Sequence, residues 1–197
     1  MIKGIGLIDS LACTLFCCFL ILTGLIAMSI LVRSFLPDDY EAFRELRLHA
    51  LRHQSGAFAS SLKEEEILSR KQWIEKLSGA EATSFLAWDE SVLVGMCGVY
   101  SLARMRIRHK AYVWGMYIDP KQRGKGVGEK LLEQCKQWAI ENNKRTLLLA
   151  VMQNNTSAIR LYERFGFVRY GLEPASIAID GVYYDDILFA LSLESKE

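Results

Sequence analysis

The sequence lacks an excess of charge of either sign. Its 24 Lys and Arg residues nearly balance 23 Asp and Glu residues, so the formal net charge is +1. Proteins that bind nucleic acid through a general positive field carry a much larger basic excess, and we expect no nucleic-acid partner. With 197 residues, about half apolar and a quarter charged, the chain has the length and composition of one globular domain.

The sequence also lacks the paired cysteines of a zinc site or a disulfide framework. None of its five cysteines forms a C-x-x-C pair, and three of them lie in the first twenty residues. This usage is typical of a reducing compartment, so we expect a cytoplasmic protein. His49 and His53 have a spacing found in some metal sites, but no third ligand accompanies them, and we expect no metal.

The N-terminal region contains the longest apolar run of the chain. Residues 10–32 carry no charged side chain, and a helix of this length can span a bilayer. The final part of the run, "SILVRSF", nevertheless has the pattern of a first β-strand. We therefore expect residues 1–27 to be a dispensable hydrophobic extension, with Met28 as the working start, or a membrane anchor through residues 10–32. A cleaved signal is disfavoured because Leu25-Ile26-Ala27 is a poor cleavage site.

The remaining chain, residues 28–197, alternates between strand and helix patterns. The stretch "TSFLAWDESVLVGMCGVYSL" predicts two strands around a turn at residues 89–91, and "KEEEILSRKQWIEKL" predicts one helix. A helix is predicted from about Lys125 to Asn142, and a C-terminal hairpin turns at Asp180-Gly181. The fold class is α/β (α+β), with helices packed on a central mixed sheet.

Three glycines at alternate positions stand where a buried strand meets a helix, in "MYIDPKQRGKGVGEKLL". Backbone N–H groups at a helix N-terminus have no partner within the helix and carry the positive end of the helix dipole. Gly124, Gly126 and Gly128 leave these groups uncovered, and Arg123 and Lys125 add charge. The pattern predicts a phosphate cradle, with a tight turn as the alternative. The spacing fits neither a P-loop nor a dinucleotide-binding fold.

The loop instead has the form Arg-x-x-Gly-x-Gly, and a second segment, "NNTSAIRLYERFGF", follows at residues 154–167. Together they resemble the pyrophosphate-binding motif and the Asn-x-x-Ala-x-x-x-Tyr-Glu-x-x-Gly-Phe segment of the GNAT superfamily of acyl-CoA-dependent N-acetyltransferases. The resemblance covers nearly all of residues 29–193. It implies a GNAT fold, whose central mixed sheet is splayed between two parallel strands.

The resemblance also implies the site residues, with acetyl-CoA as cosubstrate and no metal. Backbone groups would pair with the pantetheine arm at a bulge, which the glycine Gly115 within an apolar strand also indicates. The alternative explanation of Gly115 is that it makes room for a bulky neighbour such as Trp73 or Trp88. Tyr162 matches the residue that often protonates the departing thiolate. The predicted cofactor-binding residues are Met116, Tyr117, Ile118, Arg123, Gly124, Lys125, Gly126, Val127, Gly128 and Asn155.

The expected reaction is acetyl transfer to a primary amine by direct attack in a ternary complex, because no cysteine stands in either motif. Glu173 is our choice of general base, ahead of Asp119, Asp185 and Asp186. The helices between Pro37 and Gly79 and the hairpin residues Tyr183 and Tyr184 would frame the acceptor side. The acceptor, a small molecule or a protein amine, is not specified by the sequence, and a homodimer is compatible with it. The alternative function is a non-catalytic acyl-CoA sensor, with or without a membrane tether.

Overall fold

The computed structural model describes residues 30–54, 56 and 58–193. The extension or anchor predicted for residues 1–27 lies outside the described residues, as do residues 10–29 of the uncharged run. The last residues of that run begin the fold, because the first strand starts at Leu31. None of the helices in the described ranges combines the length and the apolar character needed to cross a membrane.

The described residues form seven strands and five α-helices. The strands are β1 (Leu31–Ser34), β2 (Ala82–Asp89), β3 (Val92–Ser101), β4 (Lys110–Ile118), β5 (Thr146–Met152), β6 (Val168–Ile179) and β7 (Val182–Ser192). The helices are α1 (Tyr40–His53), α2 (Leu62–Glu66), α3 (Arg70–Leu77), α4 (Val127–Glu141) and α5 (Thr156–Phe165). Short 3₁₀ turns cover Pro37–Asp39 and Pro120–Gln122.

The strands form one sheet in the order β1-β2-β3-β4-β5-β7-β6. Among the described strands, β4 and β5 are the only neighbours that run parallel. Their pairing covers three residue pairs, the last of which joins Tyr112 to Leu148. Beyond that pair both strands continue, β4 to Ile118 and β5 to Met152, without pairing to each other. The sheet is therefore mixed and splayed at its centre, and the predicted fold class is confirmed.

Helices cover both faces of the sheet. On the first, the α4–α5 face, the buried residues of α4 recur every four positions at Val127, Leu131, Cys135 and Ala139, as the amphipathic pattern predicts. On the second, the α1–α3 face, a separate apolar cluster includes Phe43 of α1 and Trp73 of α3. Each face thus has its own core, and the splayed strands lie between the two.

The helix predicted over residues 63–77 is in fact two helices, so this prediction was wrong. Ser69 interrupts it as the N-cap of α3: its backbone N–H donates to Oε1 of Gln72 at 2.9 Å, and its Oγ accepts from the N–H of Gln72 at 3.4 Å. This reciprocal pair is a capping box, which starts a new helix even within an amphipathic run.

The C-terminal hairpin turns at the predicted residues. Asp180 and Gly181 both have positive φ, at 49° and 82°, as a tight two-residue hairpin turn requires. The first strand of the hairpin is longer than the sequence indicated, because β6 begins at Val168 rather than near Ser176. Its added residues are exposed, so no alternation of apolar and polar residues marks them as a strand.

Candidate functional site

A bulge in β4 lies next to the splayed region. Between the pairs Tyr117–Met96 and Trp114–Gly98, β4 has two residues where β3 has only Cys97. The first of the two, Gly115, has a φ of +65°, and a Cβ there would have only Nη1 of Arg47 within 4 Å, at 3.7 Å. The glycine therefore serves the bulge, as predicted, and makes no room for a tryptophan.

The glycine loop presents an open backbone surface. Gly124 and Gly126 have φ values of +75° and +78°, and a Cβ at either position would meet no atom within 4 Å. The first intrahelical hydrogen bond of α4 runs from the N–H of Lys130 to the carbonyl of Gly126 at 3.1 Å. The N–H groups before Lys130 thus have no partner within the helix, and this surface is suited to an anion.

Gly128 has a different role from the first two glycines. It is buried, and a Cβ at this position would lie 2.7 Å from Cδ2 of Leu161 on α5. Because a side chain here would require Leu161 to rearrange or α5 to move away from α4, the third glycine permits the close packing of the two helices. Gly128 and the buried Val127 can contribute to the phosphate cradle through their backbone N–H groups alone.

The basic residues of the loop are exposed and held by local hydrogen bonds. Nε of Arg123 donates to the carbonyl of Ile118 at 3.0 Å, and Nζ of Lys125 donates to Oε1 of Gln122 at 2.8 Å. The guanidinium of Arg123 also lies 6.0 Å from the ring of Tyr117. These contacts keep both charges beside the open N–H groups. The first of them also occupies the carbonyl of Ile118.

A cleft of about 510 Å³ follows the split between β4 and β5. Of the predicted site residues it brings together Met116, Asn155, Tyr162 and Glu173. The side chain of Tyr117 is buried on the α1–α3 face, where its hydroxyl lies 3.3 Å from Nδ1 of His49. Residues 123–128 do not line the cleft and follow the end of β4 as a second group.

Tyr162 reaches the cleft from α5. Its ring packs against Phe167 and Phe189, with ring centres 5.9 and 6.2 Å away. Burial raises the pKa of the phenol well above its usual value, and the neighbouring Cys97 and Cys135 raise it further. The hydroxyl therefore stays protonated at neutral pH and can serve as a proton donor.

Asn155 lies one residue before the helix on which the sequence placed it. It is the N-cap of α5, where its Oδ1 accepts from the N–H of Ala158 at 3.3 Å and from Oγ of Ser157 at 3.1 Å. The amide oxygen is thus occupied by the cap. No described residue accepts a hydrogen bond from its Nδ2, and both Asn155 and Ala158 line the cleft.

Two carboxylates of the hairpin line the cleft, and they lie opposite each other on β6 and β7. Glu173 is exposed, whereas its register partner Asp186 is only 6% exposed. Burial raises the pKa of Asp186, a hydrogen bond from Ser176 opposes this, and the charges of Glu173 and Asp185 raise it again. Oδ2 of Asp186 accepts that bond at 3.0 Å, while Oδ1 has no partner among the described residues.

The other hairpin residues considered from the sequence lie elsewhere. Tyr183 and Tyr184 do not line the cleft, and Tyr183 is 69% exposed. Oδ1 of Asp119 accepts from the N–H of Lys121, and Oδ1 of Asp185 accepts from the N–H of Ala175. The last two carboxylates therefore have structural partners.

Sequence reasoning missed a buried arginine on the cleft wall. Arg47 of α1 is 2% exposed, and its Nε and Nη2 donate to the two carboxylate oxygens of Glu65 at 2.7 and 2.9 Å. Nζ of Lys76 donates to the same carboxylate at 2.8 Å. A signal was present, because Arg47 stands between Phe43 and Leu51 at helical spacing, on the apolar face of α1.

The comparison with family models adds independent information. The model of the acetyltransferase (GNAT) family matches residues 40–167, which include the loop, the bulge and α5. YokL, an uncharacterized N-acetyltransferase of Bacillus subtilis, is 25% identical over 169 residues, covering 84% of this chain and 91% of that protein. The spermine/spermidine N(1)-acetyltransferase of Bacillus subtilis is 44% identical over 52 residues, but the match spans 26% of this chain and 34% of that protein.

Solved structures share the fold at low sequence identity. An acetyltransferase of the GNAT family from Streptococcus pneumoniae has a TM-score of 0.72 at 23% identity, covering 83% of this chain and 99% of that one. The yncA protein of Salmonella typhimurium, solved with its cofactor acetyl-CoA, has a TM-score of 0.71 at 20% identity. The match covers 86% of this chain and 96% of that one. Both likenesses extend over nearly all of the described residues.

Proposed function

Because the chain belongs to the acetyltransferase (GNAT) family, we propose that it transfers an acetyl group from acetyl-CoA to a primary amine. The observation that carries the proposal is the split between β4 and β5, which begins after Tyr112 and Leu148 and has the Gly115 bulge on one side. The split provides unpaired strand edges in the interior of the sheet, where an extended, amide-bearing arm can pair.

The glycine loop is the proposed anchor of the cosubstrate. The open N–H groups of residues 124–128 and the charges of Arg123 and Lys125 bind the pyrophosphate. The pantetheine arm then pairs with backbone groups of Met116, Tyr117 and Ile118, and Nδ2 of Asn155 contacts it from the other side. Fixing the distant pyrophosphate in this way positions the thioester beside the bulge.

The proposed chemistry uses two side chains and one backbone group. The acceptor enters as an ammonium and loses one proton to Glu173, which is exposed and returns the proton to solvent. The nitrogen then attacks the thioester carbonyl, whose oxygen is stabilised by the N–H of Met116 or Tyr117. As the carbon–sulfur bond breaks, Tyr162 protonates the sulfur, and the second proton of the nitrogen restores Tyr162 through solvent.

We propose direct attack in a ternary complex rather than an acyl-enzyme. Among the described residues, Cys97 and Cys135 are both buried, with their sulfurs 3.5 Å apart in the core, and neither lines the cleft. Burial also raises the pKa of the Cys135 thiol well above its usual value, which disfavours the nucleophilic thiolate. Initial-rate lines that intersect support this mechanism, and parallel lines, the pattern of a ping-pong enzyme, contradict it.

The activity itself is tested by incubating the purified chain with acetyl-CoA and a panel of amines. Release of free thiol, together with an acetylated product identified by mass spectrometry, supports the proposal. Tight binding of acetyl-CoA without transfer to any amine favours the acyl-CoA sensor instead. Because acetyl-CoA is a cytosolic metabolite, the proposed activity places residues 28–197 on the cytoplasmic side, whichever role residues 1–27 have.

A further inference from the structure

The cleft contains two buried charged side chains that each have an atom without a hydrogen-bond partner. Five buried side-chain polar atoms in the described part of the chain lack a partner. Two of the five belong to charged groups, Nη1 of Arg47 and Oδ1 of Asp186, and both of these residues line the cleft. An atom of a buried charged group that lacks a hydrogen bond is costly, so a bound molecule that supplies a partner to both atoms would be favoured.

The arginine side of the cleft has a surplus of positive charge. Arg47 and Lys76 share the single carboxylate of Glu65, so the three side chains carry a net charge of +1. Glu65 occupies the Nε and Nη2 edge of the guanidinium, which leaves Nη1 on the opposite side, toward Gly115. An anionic group of a ligand would neutralise this surplus and take the free N–H.

The hairpin side of the cleft has the opposite charge. Asp186 uses Oδ2 for Ser176, and Glu173 stands across from it on β6. No basic side chain of the described residues forms an ion pair with either carboxylate. A ligand ammonium placed at Oδ1 of Asp186 would supply the missing donor and balance the two negative charges.

Both groups lie on the same face of the sheet, on opposite sides of the split. Asp186 is the register partner of Met152, and Leu148, four residues earlier on β5, is the partner of Tyr112 on β4. Register partners on neighbouring strands point to the same face of the sheet, and so do residues an even number of positions apart on one strand. This is the α1–α3 face, from which Arg47 enters the cleft, so both groups border the same space.

We propose that the acceptor is a small zwitterion, an amine that also carries a carboxylate, as in an α-amino acid. Nη1 of Arg47 binds the carboxylate, and Oδ1 of Asp186 binds the ammonium before it loses a proton and attacks. This inference rests on the proposed acetyl transfer and specifies its substrate class. It assigns Arg47 and Asp186 to substrate binding, beside the proposed acid Tyr162 and the proposed base Glu173.

The first test compares acceptors that differ only at the carboxylate. Methionine, phenylalanine and lysine are each assayed with acetyl-CoA against their carboxamides, with spermidine as an amine that has no carboxylate. We expect kcat/KM to be about 100-fold higher for at least one acid than for its amide, because the amide cannot neutralise the surplus positive charge of Arg47, Lys76 and Glu65. Equal or faster transfer to the amides or to spermidine overturns the inference.

The second test uses charge-conserving and isosteric variants. Arg47→Lys should bring the acid-to-amide ratio of kcat/KM toward one, whereas a purely structural loss would lower both rates alike. Arg52→Lys, on an exposed position of the same helix, should leave the ratio unchanged. Asp186→Asn should lower kcat/KM for the acid about 10- to 100-fold. Asp180→Asn, in the turn of the same hairpin, is its matched control.

Calorimetry with acetyl-CoA on the same preparations separates the two levels of the proposal. Binding of acetyl-CoA without transfer to any amine refutes the proposed function, and the substrate class with it. Transfer that prefers amides or spermidine refutes only the zwitterion. Transfer that prefers an acid, with a ratio that Arg47→Lys does not change, refutes the assignment of Arg47.

Discussion

A Cβ on Gly128 would lie 2.7 Å from Cδ2 of Leu161, so the third glycine of the loop is the point of close contact between α4 and α5. Cδ1 of Ile118 would be 3.1 Å away on the other side. The loop thus combines two functions that its alternating spacing does not separate. Two glycines with open space around them leave the backbone accessible, and one buried glycine lets the following helix pack.

This relationship predicts a loss of stability for Gly128→Ala. We expect the free energy of unfolding to fall by about 1–3 kcal/mol because the added methyl overpacks the helix contact. Denaturant unfolding measures the change, and adding Leu161→Ala should recover part of it, since that substitution removes the obstructing atoms. Unchanged stability together with lost acetyl-CoA binding would instead place Gly128 in the cradle proper.

Tyr162→Phe tests the proposed acid. The variant keeps the ring packed on Phe167 and Phe189 and removes only the hydroxyl, so we expect kcat to fall about 10²- to 10⁴-fold. The dissociation constant of acetyl-CoA should be nearly unchanged in calorimetry. Tyr170→Phe, a hydroxyl deletion on the hairpin side of the same cleft, is the control. Full activity in Tyr162→Phe would remove Tyr162 from the mechanism.

The ion cluster on the cleft wall predicts how stability depends on pH. Burial alone raises the pKa of Glu65, but the hydrogen bonds and charges of Arg47 and Lys76 prevail and lower it from 4.5 to about 2. A depressed pKa in the folded state stabilises the protein above the unfolded value, so this contribution is lost as pH falls from about 4.5 toward 2.

Glu65→Gln should remove that acid-dependent contribution. At neutral pH we expect it to lower the free energy of unfolding by about 3–5 kcal/mol, because the Arg47 charge stays buried without its partner. Its stability should then change less than that of the parent chain as pH falls. Glu66→Gln, the exposed neighbouring residue, serves as control in the same denaturant titrations. A parallel pH profile for Glu65→Gln and the parent would contradict the assignment.

The two motifs could be read from the sequence because their spacing fixes local geometry. Glycines between a buried strand and an amphipathic helix require an open turn, and Gly115 within an apolar strand requires a bulge or a close approach. The family match and the splayed sheet confirm the fold that the resemblance of these motifs to the GNAT superfamily implied. The break before α3 was missed because the capping box at Ser69 stands inside an unbroken amphipathic pattern.

The acceptor side could not be read in the same way, because its residues come from distant parts of the chain. Arg47 on α1 and Asp186 on β7 meet at the cleft only through the sheet order and the strand register. Asp186 stood among the base candidates, yet only the structure distinguishes its buried carboxylate from the exposed Glu173. The local pattern that indicates such a residue from the sequence is a charged side chain on an apolar helix face, as at Arg47.

The central claim is that the open N–H groups of the glycine loop bind the pyrophosphate of acetyl-CoA. Calorimetric titration of acetyl-CoA into the purified chain tests it most directly, with Gly126→Glu as the variant. Gly181→Glu is a matched control, because Gly181 also has a positive φ, at +82°, and open space around it, but lies in the hairpin turn. We predict binding to the parent and to Gly181→Glu and none to Gly126→Glu. Equal binding to all three proteins would contradict the cradle.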